Sequence, residues 1–221
     1  MDPRPKGVVE LAAIITNEPC SESPMNSISW RKSLNCDGAY GWALLLVLAV
    51  LLLLAAGGAP WLLALRFERA AVHSGQWWRL LSGHFVHLGA RHLLLDWAAL
   101  VLLWALFARA LGPKSWVLVV LGSIVAIDAG LWWLAPQLQW YVGISGLLHG
   151  VWAAGAVASA RRREFTGWLL MIALAGKLAW EQFAGVSLVV AAFPVVVDAH
   201  LYGALGALLA LAAITILPRR L

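Results

Sequence analysis

The sequence predicts an all-α polytopic membrane protein. Hydrophobic residues make up 62% of the 221 residues and charged residues only 12%, whereas about 25% of the residues of an average soluble domain are charged. Apolar runs of about 18 or more residues recur along most of the chain, and each could cross a bilayer as a helix. The net charge of +5 comes largely from Lys and Arg beside these runs. Such flanking charge is typical of membrane proteins and does not indicate nucleic-acid binding.

The apolar runs predict six spans, at about 42–65, 90–111, 115–135, 140–160, 166–192 and 195–217. The first span contains Gly57, Gly58 and Pro60. Glycine and proline weaken helices, so we expect a kink or break near the outer end of this span.

Residues 1–40 are polar, show no signal-peptide cleavage pattern and are predicted to form a cytoplasmic tail, while residues 41–218 form the six-span core. Met25 is a candidate alternative start, in which case residues 1–24 have no part in function. Cys20 and Cys36 fit no metal or redox spacing and are expected to be free thiols.

Basic residues in the short loops predict the orientation of the spans, because such residues favour the cytoplasmic side. Four basic sites fall on one side: Arg31 with Lys32, Arg109 with Lys114, the "RRRE" loop at 161–164, and Arg219 with Arg220. Both termini are therefore expected in the cytoplasm. The loop after span one is an exception, because this topology places its arginines, Arg66, Arg69, Arg79 and Arg91, outside.

Polar residues from three spans are predicted to lie at one depth. Spans two, four and six run in the same direction, and each carries polar residues about five positions from its outer end: His92 and Asp96, Ser145, and His200. At about 1.5 Å per residue, all of them lie about 5–10 Å below the outer surface. Ionisable residues inside a membrane are costly and usually functional.

The chemistry that these side chains favour is acyl transfer. Serine is a weak nucleophile until a base removes its proton, and histidine is the usual base. Gly143 and Gly146 flank Ser145 at the start of its helix, where free N–H groups can stabilise an oxyanion. Considered singly, Ser145 could serve helix packing and His200 could be a structural interior histidine. Their shared depth favours catalysis.

Small residues predict that spans four and six touch, as a Ser145–His200 hydrogen bond requires. Gly146 and Gly150 have the small-xxx-small spacing that permits close helix approach, and Gly203 and Ala207 repeat it after His200.

Four motifs resemble those of the rhomboid family of intramembrane serine proteases: "GISG" (143–146), "AHLYG" (199–203), and both the Trp-Arg motif and the histidine-bearing start of span two within "WWRLLSGHFVHLGARHLLLD" (77–96). The resemblance implies a six-helix rhomboid-like bundle with an embedded loop after helix one, in which protein contacts hold the loop arginines.

The resemblance also implies a role for each matching residue. Ser145 becomes the nucleophile and His200 the general base of a two-residue centre that needs no metal or cofactor. His92 and the backbone N–H of Ser145 become the oxyanion hole. Arg79 and His87 become structural residues.

Two positions depart from the family pattern. Asp96 stands where rhomboids usually carry asparagine, and an ionised carboxylate would repel an oxyanion. Asp96 is therefore protonated through burial, orients His92, or faces elsewhere. His149 stands where many rhomboids have a tyrosine that stacks on the base. It lies one turn after Ser145 and could stack on His200 or compete with it as base; stacking is the preferred interpretation.

A narrower resemblance is to the rhombosortase branch, carried by "GLLHG" (146–150), "KLAWEQ" (177–182) and "DAHLYG" (198–203). It implies removal of C-terminal tails composed of a Gly-Gly motif, an apolar helix and a basic cluster, near the outer face of a bacterial inner membrane. The implied partners are such membrane-anchored substrates and the lipid bilayer. The oligomeric state cannot be predicted.

The other polar residues of the spans give weaker predictions. Lys177 and Glu181 lie four residues apart and are expected to form a buried ion pair, with contact to the substrate tail as the alternative. Gln182 could join either arrangement. Asp128 has no predicted partner, and Asp198 lies on a different helix face from His200.

Three rival functions remain beside the rhombosortase hypothesis. An ordinary rhomboid protease with other single-span substrates is the main one. A catalytically inactive rhomboid-like escort is disfavoured because Ser145 and His200 are both present. A channel or transporter is disfavoured because the polar residues of spans two, four and six do not continue through the inner half of the membrane.

Overall fold

A computed structural model describes residues 38–187 and 194–216, most of them helical. The helices are α1 (Gly38–Ala56), α2 (Gly58–Leu65), α3 (Arg69–His73), α4 (Trp78–Ser82), α5 (Ala90–Phe107), α6 (Pro113–Trp133), α7 (Ser145–Arg161), α8 (Phe165–Ala184) and α9 (Val197–Ile216), with a 3-10 turn at Gly83–Phe85. Two short strands, β1 (Phe67–Glu68) and β2 (Trp140–Tyr141), pair antiparallel. Outside the described residues lie most of the predicted tail, Cys20, Cys36 and the basic pairs at 31–32 and 219–220.

The predicted helical membrane architecture is confirmed, but the number of spans is not. Of the described helices, α5, α6 and α9 are long and apolar enough to cross a membrane, and α1 with α2 could form one bent span. Helix α7 has only 17 residues. Helix α8 carries Lys177, Glu181 and Gln182, which lower its hydropathy. The six-span count stays a prediction.

The first span breaks where its glycines predicted. Helices α1 and α2 meet at an angle of 107°. Gly58 has a positive φ of 60°, which glycine adopts without the cost that other residues meet. A Cβ atom on Gly57 would collide with the ring of Trp61. The sharp turn therefore depends on both glycines.

The loop between α2 and α5 is a compact structure held partly by Arg79. This side chain is buried, and its Nη1 donates to the carbonyl oxygens of Leu63 (2.8 Å) and Arg66 (2.9 Å). Its Nε donates to Gln76 Oε1 at 2.7 Å. These bonds join α4 to the end of α2.

Arg69 fixes the other side of the same loop. Its guanidinium donates to the carbonyl oxygens of Leu131 (2.6 Å) and Ala135 (3.1 Å) at the end of α6. The last carbonyls of a helix lack intrahelical partners and carry partial negative charge, so an arginine is well suited to cap them. Protein contacts thus hold both Arg69 and Arg79 within this loop.

Helices α6, α7 and α9 approach one another closely at small residues. A Cβ atom on Gly203 of α9 would collide with the carbonyl oxygen of Gly146 of α7, and one on Gly150 would lie 2.8 Å from the Gly203 carbonyl oxygen. Ser123 of α6 donates its hydroxyl to that carbonyl at 3.0 Å. The predicted contact between spans four and six is confirmed, with the small residues at the crossing.

A single large apolar cluster surrounds these helices. Phe67, Phe107, Ile127 and Leu131 are among its fully buried members. Large apolar side chains also cover the outer faces of the helices, including Leu46, Val125 and Ile172, which are about two-thirds exposed. A soluble protein rarely exposes so much apolar surface, whereas lipid solvates it.

Two helix boundaries differ from the prediction by five or more residues. Helix α7 begins at Ser145 instead of residue 140, because residues 140–141 pair with β1 as a strand. Helix α8 ends at Ala184 instead of residue 192. Gly185 follows in the left-handed conformation with φ 68°, and its N–H donates to the Glu181 carbonyl at 2.9 Å, which closes the helix.

Candidate active site

Ser145 is the first residue of α7, at the end of a segment fixed from three sides. Strand β2 pairs with β1 in the loop between α2 and α5. The Gly143 N–H donates to the Gly83 carbonyl at 3.1 Å, and the Tyr141 hydroxyl donates to the Gly143 carbonyl at 2.9 Å. The sequence analysis placed Ser145 about five residues inside the span. That depth along the helix was wrong, because the preceding backbone is extended.

Gly143 is required for two reasons. Its φ of 112° is a conformation that side-chain-bearing residues rarely adopt. A Cβ atom at this position would also lie 2.8 Å from Cε1 and Nε2 of His92. Glycine therefore lets the backbone turn into α7 and leaves room for the imidazole of His92.

His200 lies within hydrogen-bond distance of Ser145. It is the fourth residue of α9, is 3% exposed, and places Nε2 3.1 Å from Ser145 Oγ. The two residues are 55 positions apart in the chain, and the close packing of α7 against α9 joins them. The structure thus brings together the predicted nucleophile and base.

The other ring nitrogen of His200 contacts Glu181, which the sequence analysis did not connect with the site. Glu181 lies on α8, is fully buried, and places Oε2 2.9 Å from His200 Nδ1. Its Oε1 accepts from Lys177 and, at 3.1 Å, from the Ser187 hydroxyl. The predicted Lys177–Glu181 ion pair is confirmed. Glu181 is therefore a contact of His200 outside the two-residue centre that the family resemblance implies.

These contacts fix the tautomer of a neutral His200. An ionised carboxylate only accepts hydrogen bonds, so Nδ1 carries the proton and donates to Glu181. Nε2 then presents its lone pair to Ser145 and can accept the hydroxyl proton. This is the orientation that a general base needs.

His149 stacks on His200, as the sequence analysis preferred. The ring centroids are 3.9 Å apart and the ring planes differ by 14°. His149 Nδ1 donates to the Ser145 carbonyl at 2.7 Å, which holds the ring in place. His149 therefore supports one face of the base through a contact within its own helix.

Asp96 faces two histidines. Its Oδ2 lies 3.1 Å from Nε2 of His87 and 3.3 Å from Nε2 of His92, and all three residues are buried. The Leu88 N–H donates to Nδ1 of His92 at 3.4 Å, so Nε2 of a neutral His92 carries its proton. Of the three alternatives for Asp96, the contacts favour the one in which it orients His92.

The start of α7 supplies further hydrogen-bond donors. The N–H groups of the first helical turn have no intrahelical acceptor, and the helix dipole adds partial positive charge there. The N–H of Ser145 is among these groups. His92 and Ser145 face the same cavity, so donors from α5 and α7 are available near the serine hydroxyl.

The cavity has a volume of about 570 Å³ and is lined by both polar and apolar residues. The polar residues include His92, Asp96, Ser145, His149, Lys177, Ser187 and His200. The apolar residues include Leu95, Leu102, Leu103, Leu148, Trp152 and Val196. An apolar lining with a few polar groups is typical of a binding site.

His149, Glu181 and His200 are the described residues close enough together to be considered as metal ligands. An ion must lie near the plane of each imidazole that binds it. The rings of His149 and His200 are stacked almost parallel. The lone pairs of their nitrogens therefore lie in two separate planes and do not point to one common ion. The geometry fits a stacked base better than a metal centre.

Asp128 has the partner that the sequence analysis could not find. Its Oδ1 lies 3.2 Å from Nε2 of His84, a fully buried histidine in the loop between α2 and α5. The His84 ring contacts Tyr141 edge-on, with centroids 5.5 Å apart. The contacts of His84 hold the loop between α2 and α5 against Asp128 of α6 and against Tyr141, which precedes Ser145. This arrangement indicates a structural role for the His84–Asp128 pair.

Comparison with known proteins agrees with this geometry. The rhomboid domain family matches residues 74–217, which include Ser145, His200, Glu181 and His92. The chain belongs to the rhomboid family. A Bacillus subtilis (strain 168) protein named "Putative rhomboid protease YdcA" is 26% identical over 147 residues, or 62% of this chain and 67% of the relative. No solved structure matches the chain significantly.

Membership of the rhomboid family suggests intramembrane serine protease activity, and together with the apolar helices it indicates an integral membrane protein. Some rhomboids are inactive. The arrangement of Ser145, His200 and the cavity is therefore the observation on which an assignment of activity must depend.

Proposed function

We propose that this rhomboid is an active intramembrane serine protease, with Ser145 as nucleophile and His200 as general base. The observation that carries the proposal is the 3.1 Å contact between His200 Nε2 and Ser145 Oγ, at the start of a helix and on a large cavity. A catalytic serine needs a base, oxyanion donors and a binding space at one place. All three are available around Ser145.

The proposed reaction begins when His200 Nε2 takes the proton of the Ser145 hydroxyl. Oγ attacks the scissile carbonyl carbon, and the carbonyl electrons move to its oxygen. The tetrahedral intermediate collapses, the C–N bond breaks, and His200 gives its proton to the leaving amine. Water, deprotonated by His200, then releases the acyl group from Ser145 by the same two steps.

The developing oxyanion is stabilised by the Ser145 N–H and by His92. The N–H belongs to the first turn of α7, where donors are free and the helix dipole is favourable. His92 carries its proton on Nε2, the nitrogen beside Gly143. In the resting enzyme this N–H points to Asp96, whose Oδ2 lies 3.3 Å from His92 Nε2. The oxyanion and Asp96 therefore compete for the same hydrogen-bond donor.

In the proposed membrane arrangement, α1 with α2, α5, α6, α7, α8 and α9 form six spans, both termini are cytoplasmic, and the site faces the periplasm of a bacterial inner membrane. Helix α7 is buried along most of its length, so a span at this position needs less hydropathy. Helix α8 exposes mostly apolar side chains, and its charged residues Lys177 and Glu181 pair with each other beside the site. Residues 41–218 are the protease core in this proposal.

The proposed substrates are membrane-anchored proteins with a C-terminal Gly-Gly motif, an apolar helix and a basic cluster. The support is the likeness of the 146–150, 177–182 and 198–203 segments to the rhombosortase branch. The apolar lining of the cavity, with a few polar groups at Ser145 and His200, suits a small-residue motif beside an apolar helix. Glycines unwind readily, which exposes the scissile bond.

A co-expression experiment tests this proposal. A secreted reporter that ends in Gly-Gly, an apolar helix and an Arg cluster is expressed in a bacterial membrane with wild type or with Ser145→Ala. We expect loss of the tail with wild type only. Cleavage of a general rhomboid substrate but not of this reporter would assign the protein to the ordinary branch. Absence of both cleavages from a folded, expressed protein would support an inactive rhomboid-like protein.

A further inference from the structure

Glu181 contacts His200, although a catalytic Ser–His pair does not require a third residue. Its carboxylate is fully buried and both of its oxygens have partners, with His200 Nδ1 on Oε2 and Lys177 and Ser187 on Oε1. A buried carboxylate is costly unless hydrogen bonds and an opposite charge compensate it. An apolar residue at position 181 would stabilise the protein at least as well, so stability alone does not account for a glutamate there.

We propose that Glu181 is a positioning residue that acts on the reaction through His200, so that Ser145, His200 and Glu181 work as a triad. The proposal rests on the protease activity proposed above. Glu181 accepts the Nδ1 proton of His200, keeps the Nε2 lone pair directed at Ser145, and stabilises the imidazolium that forms when the serine proton is transferred.

Lys177 supports the proposed triad through its contact with Glu181. Its ammonium has three donors and no acceptor, so it requires an acceptor at Oε1 of residue 181. It also compensates the charge of the Glu181 carboxylate, so that the Lys177–Glu181 pair is close to neutral. The charged pair Lys177–Glu181 therefore lies on α8, while the reacting side chain of Ser145 lies on α7 and that of His200 on α9.

The contacts of Lys177 make Glu181→Gln an informative variant. Lys177 would hold the amide oxygen, so the amide NH₂ would face His200 Nδ1 and donate to it. His200 would then carry its proton on Nε2 and could not accept the proton of Ser145. We expect kcat to fall by roughly 10²- to 10⁴-fold, the range for a wrong base tautomer and a missing carboxylate, with KM little changed.

The double variant Lys177→Met/Glu181→Gln provides the decisive comparison. Without the ammonium, the amide can turn its oxygen toward His200 Nδ1 and restore the productive tautomer, while the Ser187 hydroxyl can donate or accept. We expect the double variant to be at least about 5-fold faster than Glu181→Gln alone. A purely structural role predicts the opposite, because the second substitution removes a further contact.

Each variant is measured as purified protein in detergent. The readouts are the rate constant for reaction of Ser145 with a fluorophosphonate and kcat and KM on the reporter that wild type cleaves. Glu164→Gln is the matched control, since Glu164 is exposed in the loop between α7 and α8, where its carboxylate pairs with Arg162 at 2.8 Å. Glu181→Asp keeps the charge on a shorter side chain, and we expect it to retain intermediate activity.

The outcomes separate the two proposals. Wild type that neither cleaves the reporter nor reacts with the fluorophosphonate overturns both. Active wild type with Glu181→Gln within 2-fold of it, or with a double variant slower than the single one, overturns the triad alone. If Glu181→Gln does not fold, Glu181→Asp decides: wild-type kcat in that variant shows that the position of the carboxylate against His200 does not matter.

Discussion

Asp96 is the residue at which the family pattern and this chain differ most. Its carboxylate accepts a hydrogen bond from Nε2–H of His92. An oxyanion would need the same N–H as its donor. In Asp96→Asn, the side-chain oxygen can still accept from His87 and His92, but a neutral amide competes less strongly with the oxyanion. We therefore expect kcat for the reporter to rise by about 2- to 10-fold.

Asp96→Ala is the comparison for this prediction. It leaves the Nε2 groups of His87 and His92 without their buried acceptor, which costs about 1–3 kcal/mol of stability and removes the orientation of His92. We expect a lower melting temperature and lower activity. An asparagine variant as impaired as the alanine variant would show that the negative charge itself is needed.

His149 gives a second prediction at the same scale. An aromatic stack contributes about 0.5–1.5 kcal/mol, which corresponds to a rate factor of roughly 2 to 10 if the stack holds the base in place. His149→Phe keeps the stack and should retain activity within about 3-fold, whereas His149→Ala should lose about 2- to 10-fold. Reporter cleavage measures both. Loss of all activity in His149→Phe would instead indicate that the imidazole takes part in proton transfer.

At the level of elements, the contact between α7 and α9 sets the distance between nucleophile and base. A Cβ atom on Gly203 would collide with the Gly146 carbonyl, so Gly203→Ala must push the helices apart. A displacement of about 1 Å can lower the rate by about 10²-fold. We expect that loss in kcat, measured by reporter cleavage.

Gly176→Ala is the matched control for Gly203→Ala. Gly176 lies in α8, and a Cβ atom there would meet nothing within 4 Å. Alanine is the better helix former, so this variant should keep wild-type activity and be slightly more stable. Equal activity of the two variants would mean that close packing of α7 and α9 does not control the Ser145–His200 distance.

Helix positions could be predicted from apolar runs, but the start of α7 could not. The run through residues 140–160 is continuous, and only the strand pairing of residues 140–141 and the turn at Gly143 delay the helix until Ser145. Those contacts come from Phe67 and Gly83, far away in the sequence. Non-local pairing of this kind leaves no periodic signal.

The candidate site was predicted in part for a similar reason. Ser145, His200 and His92 have motif and depth signals, whereas Glu181 has only its cost as a carboxylate in an apolar helix. With the predicted end of span five at residue 192, Glu181 would lie about 16 Å from the outer surface, deeper than His200. The helix ends at Ala184, so Glu181 is within one turn of its end, and the misplaced boundary hid Glu181 from the depth argument.

For the whole molecule, the central prediction about topology is that the loop of residues 66–89 and the loop of residues 161–164 lie on opposite sides of the membrane. The protein with Cys20 and Cys36 changed to serine is given one new cysteine at exposed Ser74 or Glu164. An impermeant maleimide should label Ser74→Cys in intact spheroplasts and Glu164→Cys only after lysis. Labelling of both in intact cells would contradict the six-span arrangement.

Family membership and geometry together lead to one central claim, that His200 activates Ser145. Purified wild type, Ser145→Ala and His200→Ala are treated with a fluorophosphonate in detergent, and the intact mass of each is measured. The account predicts one phosphonyl group on wild type, located on Ser145, and none on either variant in the same time. Labelling of His200→Ala at the wild-type rate, or no labelling of folded wild type, would contradict it.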